Sequence, residues 1–150
     1  MASDDDRVTG GCLCGAVRYA ATAAARRVTY CHCAMCRKAS GAPVSVFAAF
    51  AADALAFTSG RPKVYRSSSF VERGFCAACG TPLTYRYLRS DALSVTVGSL
   101  DHPERVAPEG HWGVESHLPW LTIADDLPRK RTDEDPDFAA FAVAAGRKDS

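Results

Sequence analysis

The chain has 150 residues, the length of one ordinary domain, and is 47% hydrophobic and 23% charged, as globular proteins are and disordered or membrane proteins are not. Its 18 basic and 17 acidic residues leave a formal net charge of +1, which gives no electrostatic footprint for nucleic acid. No stretch approaches the ~20 apolar residues of a membrane helix, so we expect neither a nucleic-acid nor a membrane partner.

The chain begins with the acidic stretch MASDDDRV, which lacks the basic region and the apolar run of a secretory signal. We therefore expect residues 1–7 to be a disordered segment and the protein to be cytoplasmic. A reducing compartment disfavours structural disulfides, and seven cysteines cannot all pair within one chain. Metal ligation or catalysis is the better explanation for them.

Short segments rich in β-branched and aromatic residues follow one another through the middle of the chain. They occupy residues 15–21, 27–33, 43–50, 63–76, 82–87 and 93–100. Turn residues separate them, and no alternation of strand and helix patterns indicates a parallel sheet. The sequence therefore predicts a mainly β fold of antiparallel sheets with little helix, limited to a short turn at 37–40 and another beginning at Asp53.

The composition changes after Ile123, where the charged, proline-containing stretch ADDLPRKRTDEDPD begins. Such a stretch is typical of a solvated linker. The later segment FAAFAVAAG predicts a short helix that docks through Phe138 and Phe141. We therefore expect a β domain at 8–124, followed by a charged C-terminal tail at 125–150 that contains this helix.

Four of the cysteines form two pairs with metal-ligand spacing, Cys12-Leu-Cys14 and Cys76-Ala-Ala-Cys79. Residues i and i+2 of an extended segment face the same side, so Cys12 and Cys14 can both reach one metal. The second pair is followed by Gly80, which permits the tight turn of a metal knuckle. Together the four predict a closed structural zinc site that stabilises the fold.

Three further cysteines, Cys31, Cys33 and Cys36, lie within the six residues CHCAMC. Three local ligands imply one metal, and three protein ligands with an open fourth position are the arrangement of a catalytic zinc. Strand alternation favours packing of His32 behind this site over ligation. The alternative is a second structural zinc whose fourth ligand is a carboxylate, His102, His111 or His117.

Five stretches from about residue 8 to about residue 123 carry these motifs in order: GGCLCGAVRY, YCHCAMCRKASGAP, RGFCAACGTPLTYR, VGSLDHPE and EGHWGVESHLPW. They resemble a known family, the glutathione-dependent formaldehyde-activating enzymes and the related centromere protein V proteins. The resemblance implies a β-tent fold of antiparallel sheets stapled by zinc. It also implies two zinc ions per chain, a structural one on Cys12, Cys14, Cys76 and Cys79 and a labile one on Cys31, Cys33 and Cys36.

The activity named for this family is the condensation of formaldehyde with glutathione. A zinc with three thiolates can bind a fourth thiol as thiolate at neutral pH, where a free thiol of pKa ~8.5 is mostly protonated. We therefore predict a carbon–sulfur lyase-type enzyme in which Cys31, Cys33 and Cys36 hold the open zinc. A small thiol, glutathione or an analogue, would add there reversibly to an aldehyde such as formaldehyde. Arg37 and Lys38 follow Cys36 directly and are the candidate partners of the thiol's carboxylates.

Two other functions are compatible with the same cysteines. One is a non-catalytic, zinc-stabilised module that binds a thiol or a protein partner, and the other is zinc storage or sensing through Cys31, Cys33 and Cys36. An exposed strand edge could also support a homodimer.

Overall fold

A computed structural model describes residues 7–136 and 138–140. In this part of the chain the strands, numbered in chain order, are β1 Val8–Gly11, β2 Arg18–Ala21, β3 Arg27–Cys31, β4 Ser45–Ala51, β5 Leu55–Ser59, β6 Lys63–Arg66, β7 Val71–Phe75, β8 Pro82–Tyr87, β9 Ala92–Thr96, β10 Gly110–Trp112 and β11 Arg129–Lys130. The helix α1 spans Ala34–Ser40, and 3-10 turns cover Ala52–Ala54, Val97–Ser99, Pro103–Arg105, Val114–Ser116 and Thr132–Glu134.

The strands form two sheets. One has three strands in the order β1-β2-β5, and the other has eight in the order β11-β10-β3-β4-β9-β8-β7-β6. Strand β10 runs parallel to β3 and to β11, and the other pairings are antiparallel. The prediction of a mainly β protein built from antiparallel sheets is thus confirmed.

The core lies where apolar side chains of both sheets meet. Ala48 and Phe50 of β4 and Leu83 of β8 are fully buried in it, because alternate strand residues face the same side. From the smaller sheet Tyr19 enters this core, and its hydroxyl group lies 2.6 Å from the Ser99 hydroxyl group. That hydrogen bond satisfies a buried phenol, which would otherwise be costly to desolvate.

Helix α1 is longer than the turn expected at 37–40. It begins after Cys33, whose sulfur accepts a hydrogen bond from the Cys36 backbone N–H group (3.3 Å). It ends at Gly41, whose φ of 71° is the left-handed conformation that glycine adopts without strain. The turn expected from Asp53 is a 3-10 turn at Ala52–Ala54. Among the described residues, no helix has the length and apolar character needed to cross a membrane.

Part of the segment predicted as a charged C-terminal tail packs against the larger sheet. Residues 129–130 add a strand to the larger sheet, and Thr132 and Asp135 are buried. The charges of this segment have partners, since the Asp125 carboxylate group accepts from His111 and Arg129. Such partners explain why a stretch that reads as a solvated linker packs against the domain.

Two predicted features fall partly beyond the described residues. Phe138 packs edge-to-face on Phe70, with ring centroids 5.7 Å apart, and residues 138–140 are helical. Phe141, the other predicted docking residue, lies outside the described residues, and so do residues 1–6 of the segment predicted to be disordered.

Candidate metal centres

Cys12, Cys14, Cys76 and Cys79 come together, with their sulfur atoms all within 4.8 Å of one another. The sulfur of Cys14 lies 3.6 Å from that of Cys12 and 3.8 Å from that of Cys76. A tetrahedral zinc with Zn–S bonds of ~2.3 Å places its sulfur atoms ~3.8 Å apart. The four side chains therefore fit one tetrahedral metal ion.

Two turns shape this four-cysteine centre. Gly15 (φ 80°) and Gly80 (φ 80°) follow the two cysteine pairs, and their N–H groups donate to the carbonyl groups of Cys12 and Cys76. Cys12 and Cys14 thus lie on a turn after β1 and not on an extended strand as expected. The exposed Leu13 side chain does point away from the sulfur atoms. Because β1 belongs to the smaller sheet and Cys76 follows β7 of the larger one, the centre joins the two sheets.

At two of the four cysteines of this centre, hydrogen bonds favour the thiolate form that binds metals. The Val17 N–H group donates to the Cys12 sulfur (3.2 Å) and lowers the pKa of Cys12. The Thr81 hydroxyl group lies 3.1 Å from the Cys79 sulfur, and this contact is the main reason why the pKa of Cys79 is lowered to about 5. A thiolate is the ligand form of cysteine, so both contacts prepare the centre for a cation.

Cys31, Cys33 and Cys36 form a second group, again with sulfur atoms within 4.8 Å of one another. Cys31 ends β3, Cys33 caps α1, and Cys36 lies in the first turn of that helix. A strand end followed directly by a helix start therefore folds three sulfur atoms of one local segment around a single point. In the described part of the chain, no histidine, aspartate, glutamate or further cysteine completes this group, so the alternative of a second closed site lacks a fourth protein ligand there.

The three sulfur atoms share charge through mutual hydrogen bonds. Bonds from Cys31 and Cys36 stabilise the Cys33 thiolate and lower the pKa of Cys33 to about 3, with a further contribution from Arg73. The hydrogen bond between the Cys31 and Cys33 side chains raises the pKa of Cys31 well above its usual value. At Cys36 the bond to Cys31 lowers the pKa, but bonding to Cys33 and burial outweigh it and raise the pKa to about 11. Without a metal, the group therefore holds one thiolate and two thiols at neutral pH.

Arg73 of β7 places a permanent positive charge against this group. Its two terminal nitrogen atoms lie 3.6 and 3.5 Å from the Cys36 sulfur, its Nε donates to the Ser67 hydroxyl group (3.1 Å), and its guanidinium group lies 4.9 Å from the Tyr85 ring centroid. The closeness of Arg73 to Cys36 arises from sheet pairing and not from spacing along the chain, so the sequence pattern does not predict this contact.

The two basic residues predicted to bind a thiol have different surroundings. Arg37 donates to the Ser116 carbonyl group at 2.6 Å and thereby ties α1 to the loop after β10. Lys38 lines a cavity of about 470 Å³ that also borders Cys36. The structure therefore brings Lys38 to a cavity beside the three-cysteine group, and it gives Arg37 a structural contact.

A smaller cavity, of about 90 Å³, touches Cys31, Cys33 and Cys36 together. We call it the aromatic cavity, because its walls include Phe47, Phe70, Tyr85, Tyr87, Trp112 and Phe138. It shares Met35, Cys36, Phe47 and Arg73 with the larger cavity. The sequence pattern does not predict these walls, since they come from β4, β8, β10, the residue before β7 and the C-terminal segment.

The predicted packing of His32 behind the cysteines agrees with its surroundings. It is buried, and its Nε2 lies 2.8 Å from Nδ1 of His111. Nε2 of His111 in turn lies 2.9 Å from an Asp125 carboxylate oxygen. A carboxylate group only accepts, so His111 donates to Asp125 and its Nδ1 accepts from His32. This chain of hydrogen bonds ties the segment after residue 124 to the loop between Cys31 and Cys33.

The chain belongs to the glutathione-dependent formaldehyde-activating enzyme family, whose pattern matches residues 7–116. A protein of Schizosaccharomyces pombe, named as an uncharacterized lyase, is 36% identical over 78 residues, which are 52% of this chain and 56% of that protein. The match thus covers little more than half of the relative's length. A crystal structure of a Rhodobacter sphaeroides protein has a TM-score of 0.48 and 19% sequence identity, covering 81% of this chain and 99% of that one.

Proposed function

We propose that this protein is a zinc-dependent carbon–sulfur lyase-type enzyme that adds a small thiol, glutathione or an analogue, reversibly to an aldehyde such as formaldehyde. Cys12, Cys14, Cys76 and Cys79 would hold a structural zinc ion, and Cys31, Cys33 and Cys36 a second one. The observation that carries the proposal is the three-sulfur group beside a cavity, with no fourth protein ligand among the described residues. The family name and the lyase named among its relatives support the reaction class.

The chemistry follows from the donor set. A zinc ion held by Cys31, Cys33 and Cys36 would keep a small thiol deprotonated at neutral pH. The thiol sulfur then attacks the carbonyl carbon, the carbonyl π electrons move to the oxygen atom, and that oxygen takes up a proton. Arg73 has the fixed position and permanent charge needed to stabilise negative charge that develops beside Cys36.

The larger cavity suits the body of the thiol. It borders Cys36 and carries the Lys38 side chain, which can pair with a carboxylate group of glutathione or an analogue. Its volume of about 470 Å³ lies within the range of ligand pockets. We infer that Lys38, and not Arg37, contacts the thiol. Such chemistry requires reduced cysteines, and all seven cysteines of the chain are free, in keeping with the cytoplasmic location that we propose.

The reaction is tested by NMR exchange between formaldehyde plus glutathione and S-hydroxymethylglutathione, after subtraction of the uncatalysed rate. We expect zinc-replete protein to accelerate the exchange, Cys33→Ser to abolish the acceleration, and Lys63→Ala, an exposed change on β6, to retain it. No acceleration by the zinc-replete protein with formaldehyde, larger aldehydes or other small thiols would contradict a catalytic role and favour a module that only binds thiols.

A further inference from the structure

We propose that the aromatic cavity receives the side group of the aldehyde, and that an aldehyde with a small apolar or aromatic group is therefore preferred over formaldehyde. The inference rests on the proposed function, and it adds the substrate class. It depends on the size of the aromatic cavity, on the chemistry of its walls and on the part of the chain that builds one of them.

Size is the first argument. A cavity needs roughly 10–15 Å³ to hold one water-sized group, so the volume of about 90 Å³ has room for about six to nine non-hydrogen atoms. Formaldehyde has about two such atoms and would leave most of the space empty, whereas glutathione has about twenty and does not fit. Aldehydes of intermediate size match the cavity that touches the three sulfur atoms.

The walls are the second argument. Tyr85 packs edge-to-face on Tyr87, with ring centroids 5.2 Å apart, and Phe47 lies 5.4 Å from Tyr85. Rings that hold one another in this way form a cavity before a ligand enters, and their faces offer contact area to an apolar or aromatic group. The two guanidinium groups that line the cavity lie against rings, Arg73 on Tyr85 and Arg27 on Trp112.

The third argument concerns the C-terminal wall, which we define as Thr132, Asp135 and Phe138. It lies beyond residues 7–116, the part that matches the family pattern. Phe138 packs on Phe70, which also lines the cavity. The family match therefore does not determine this wall. The C-terminal wall can select an aldehyde that differs from the one in the family name.

The proposed step forms one bond between the thiol sulfur and the carbonyl carbon of the larger aldehyde. The carbonyl π electrons move to oxygen, and this oxygen takes the equivalent of the proton that the thiol lost. The product is a neutral hemithioacetal, so no oxidant or reductant is consumed. Its apolar group stays in the aromatic cavity, while the thiol body extends toward Lys38.

Binding is measured first, by ¹⁹F NMR titration of the zinc-loaded protein with 4-fluorobenzyl alcohol, an unreactive probe of suitable size. We expect saturable binding that Phe138→Ala weakens about threefold to tenfold, as the loss of one aromatic contact does. Ser94→Leu, which fills the cavity from β9, should abolish it. Trp120→Ala removes an exposed ring outside the cavity and should leave the binding of the probe unchanged.

Circular dichroism and zinc content establish that each variant is folded and loaded. Absent binding, or equal binding in all four proteins, would overturn the assignment of the cavity.

Exchange rates then identify the aldehyde. With glutathione held constant, we expect at least tenfold greater acceleration over the uncatalysed rate for 3-methylbutanal than for formaldehyde, and Phe138→Ala should reduce only the former. Greater acceleration for formaldehyde would overturn this inference and leave the proposed function intact. Acceleration with neither aldehyde, despite binding of the probe, would overturn the proposed function and the substrate assignment with it.

Discussion

At the scale of single residues, the three-cysteine group holds one negative charge on three sulfur atoms. Only Cys33 is ionised at neutral pH, since its pKa is about 3 while that of Cys36 is about 11 and that of Cys31 is well above normal. Metal binding requires all three as thiolates. The group must therefore lose two protons, those of Cys31 and Cys36, when a metal ion enters.

We expect zinc binding at this group to release about two protons, and its affinity to rise about 100-fold per pH unit near neutrality. The zinc affinity rises with pH because the metal-free state binds more protons than the loaded state, so higher pH favours loading. Isothermal titration of protein loaded at the four-cysteine centre, in buffers of different ionisation enthalpy, counts the protons. Cys33→Ser, which lacks one sulfur ligand of the three-cysteine group, serves as the control that is subtracted. A release close to zero would contradict the assigned ionisation states.

Arg73 stabilises negative charge on the three-cysteine group. Its guanidinium group donates to the Cys36 sulfur, and a hydrogen bond to a charged group contributes about 1.5–3 kcal/mol. We expect Arg73→Met to weaken zinc binding at the three-cysteine group by about tenfold or more, as measured by competition with a chromogenic chelator. Arg86→Met, at an exposed position on the neighbouring strand β8, is the matched control. Equal affinities of the two variants would show that Arg73 does not stabilise the thiolates.

At the scale of elements, a chain of hydrogen bonds links strands that are far apart in the sequence. His111 of β10 lies between His32 and Asp125, and β10 itself pairs with β3 and β11. The loop that carries Cys33 is therefore held in place by the segment beyond residue 124.

Asp125→Ala should lower Tm, because it leaves a ring nitrogen of the buried His111 without its partner, and an unsatisfied buried group costs about 1–3 kcal/mol in general. Asp126→Ala, an exposed neighbour, should have little effect. Thermal unfolding followed by circular dichroism compares the two. If the two Tm values agree, the chain of hydrogen bonds does not stabilise the fold.

The same elements show what the sequence could predict. Spacing grouped the cysteines as the structure brings them together, since Cys31, Cys33 and Cys36 are close in the chain and the other two pairs have metal-ligand spacing. Arg73 reaches Cys36 only because β7 pairs with β8 in one particular register, and such pairings are set by packing across the sheet. The segment 125–135 reads as solvated from its charged composition, because the partners of its polar groups lie far away in the chain, as Glu115 does, which accepts from Thr132.

At the scale of the whole molecule, the four-cysteine centre joins the two sheets. Cys76→Ser leaves a closed site with three ligands, so we expect loss of soluble folded protein or a strongly lowered Tm. Cys33→Ser should lose the metal of the other centre and retain the fold. Expression yield, zinc content and thermal unfolding of both variants test this contrast. A normally stable Cys76→Ser protein would contradict the structural role.

The exposed edge strand β6 also belongs to this scale. Its residues 63–66 are exposed and include Val64 and Tyr65. A homodimer stays a prediction from such an edge.

The sequence separation within each centre determines when each metal can be bound. Cys14 and Cys76 are 62 positions apart, so their centre forms only after a long loop has closed, at an entropic cost that precedes any metal contact. Cys31 to Cys36 span one short segment, which can assemble around a metal ion almost independently of the rest of the chain. If both centres hold zinc as proposed, we expect the first ion to be acquired during folding and to leave only on unfolding, and the second to exchange in the native state with the free zinc of its surroundings.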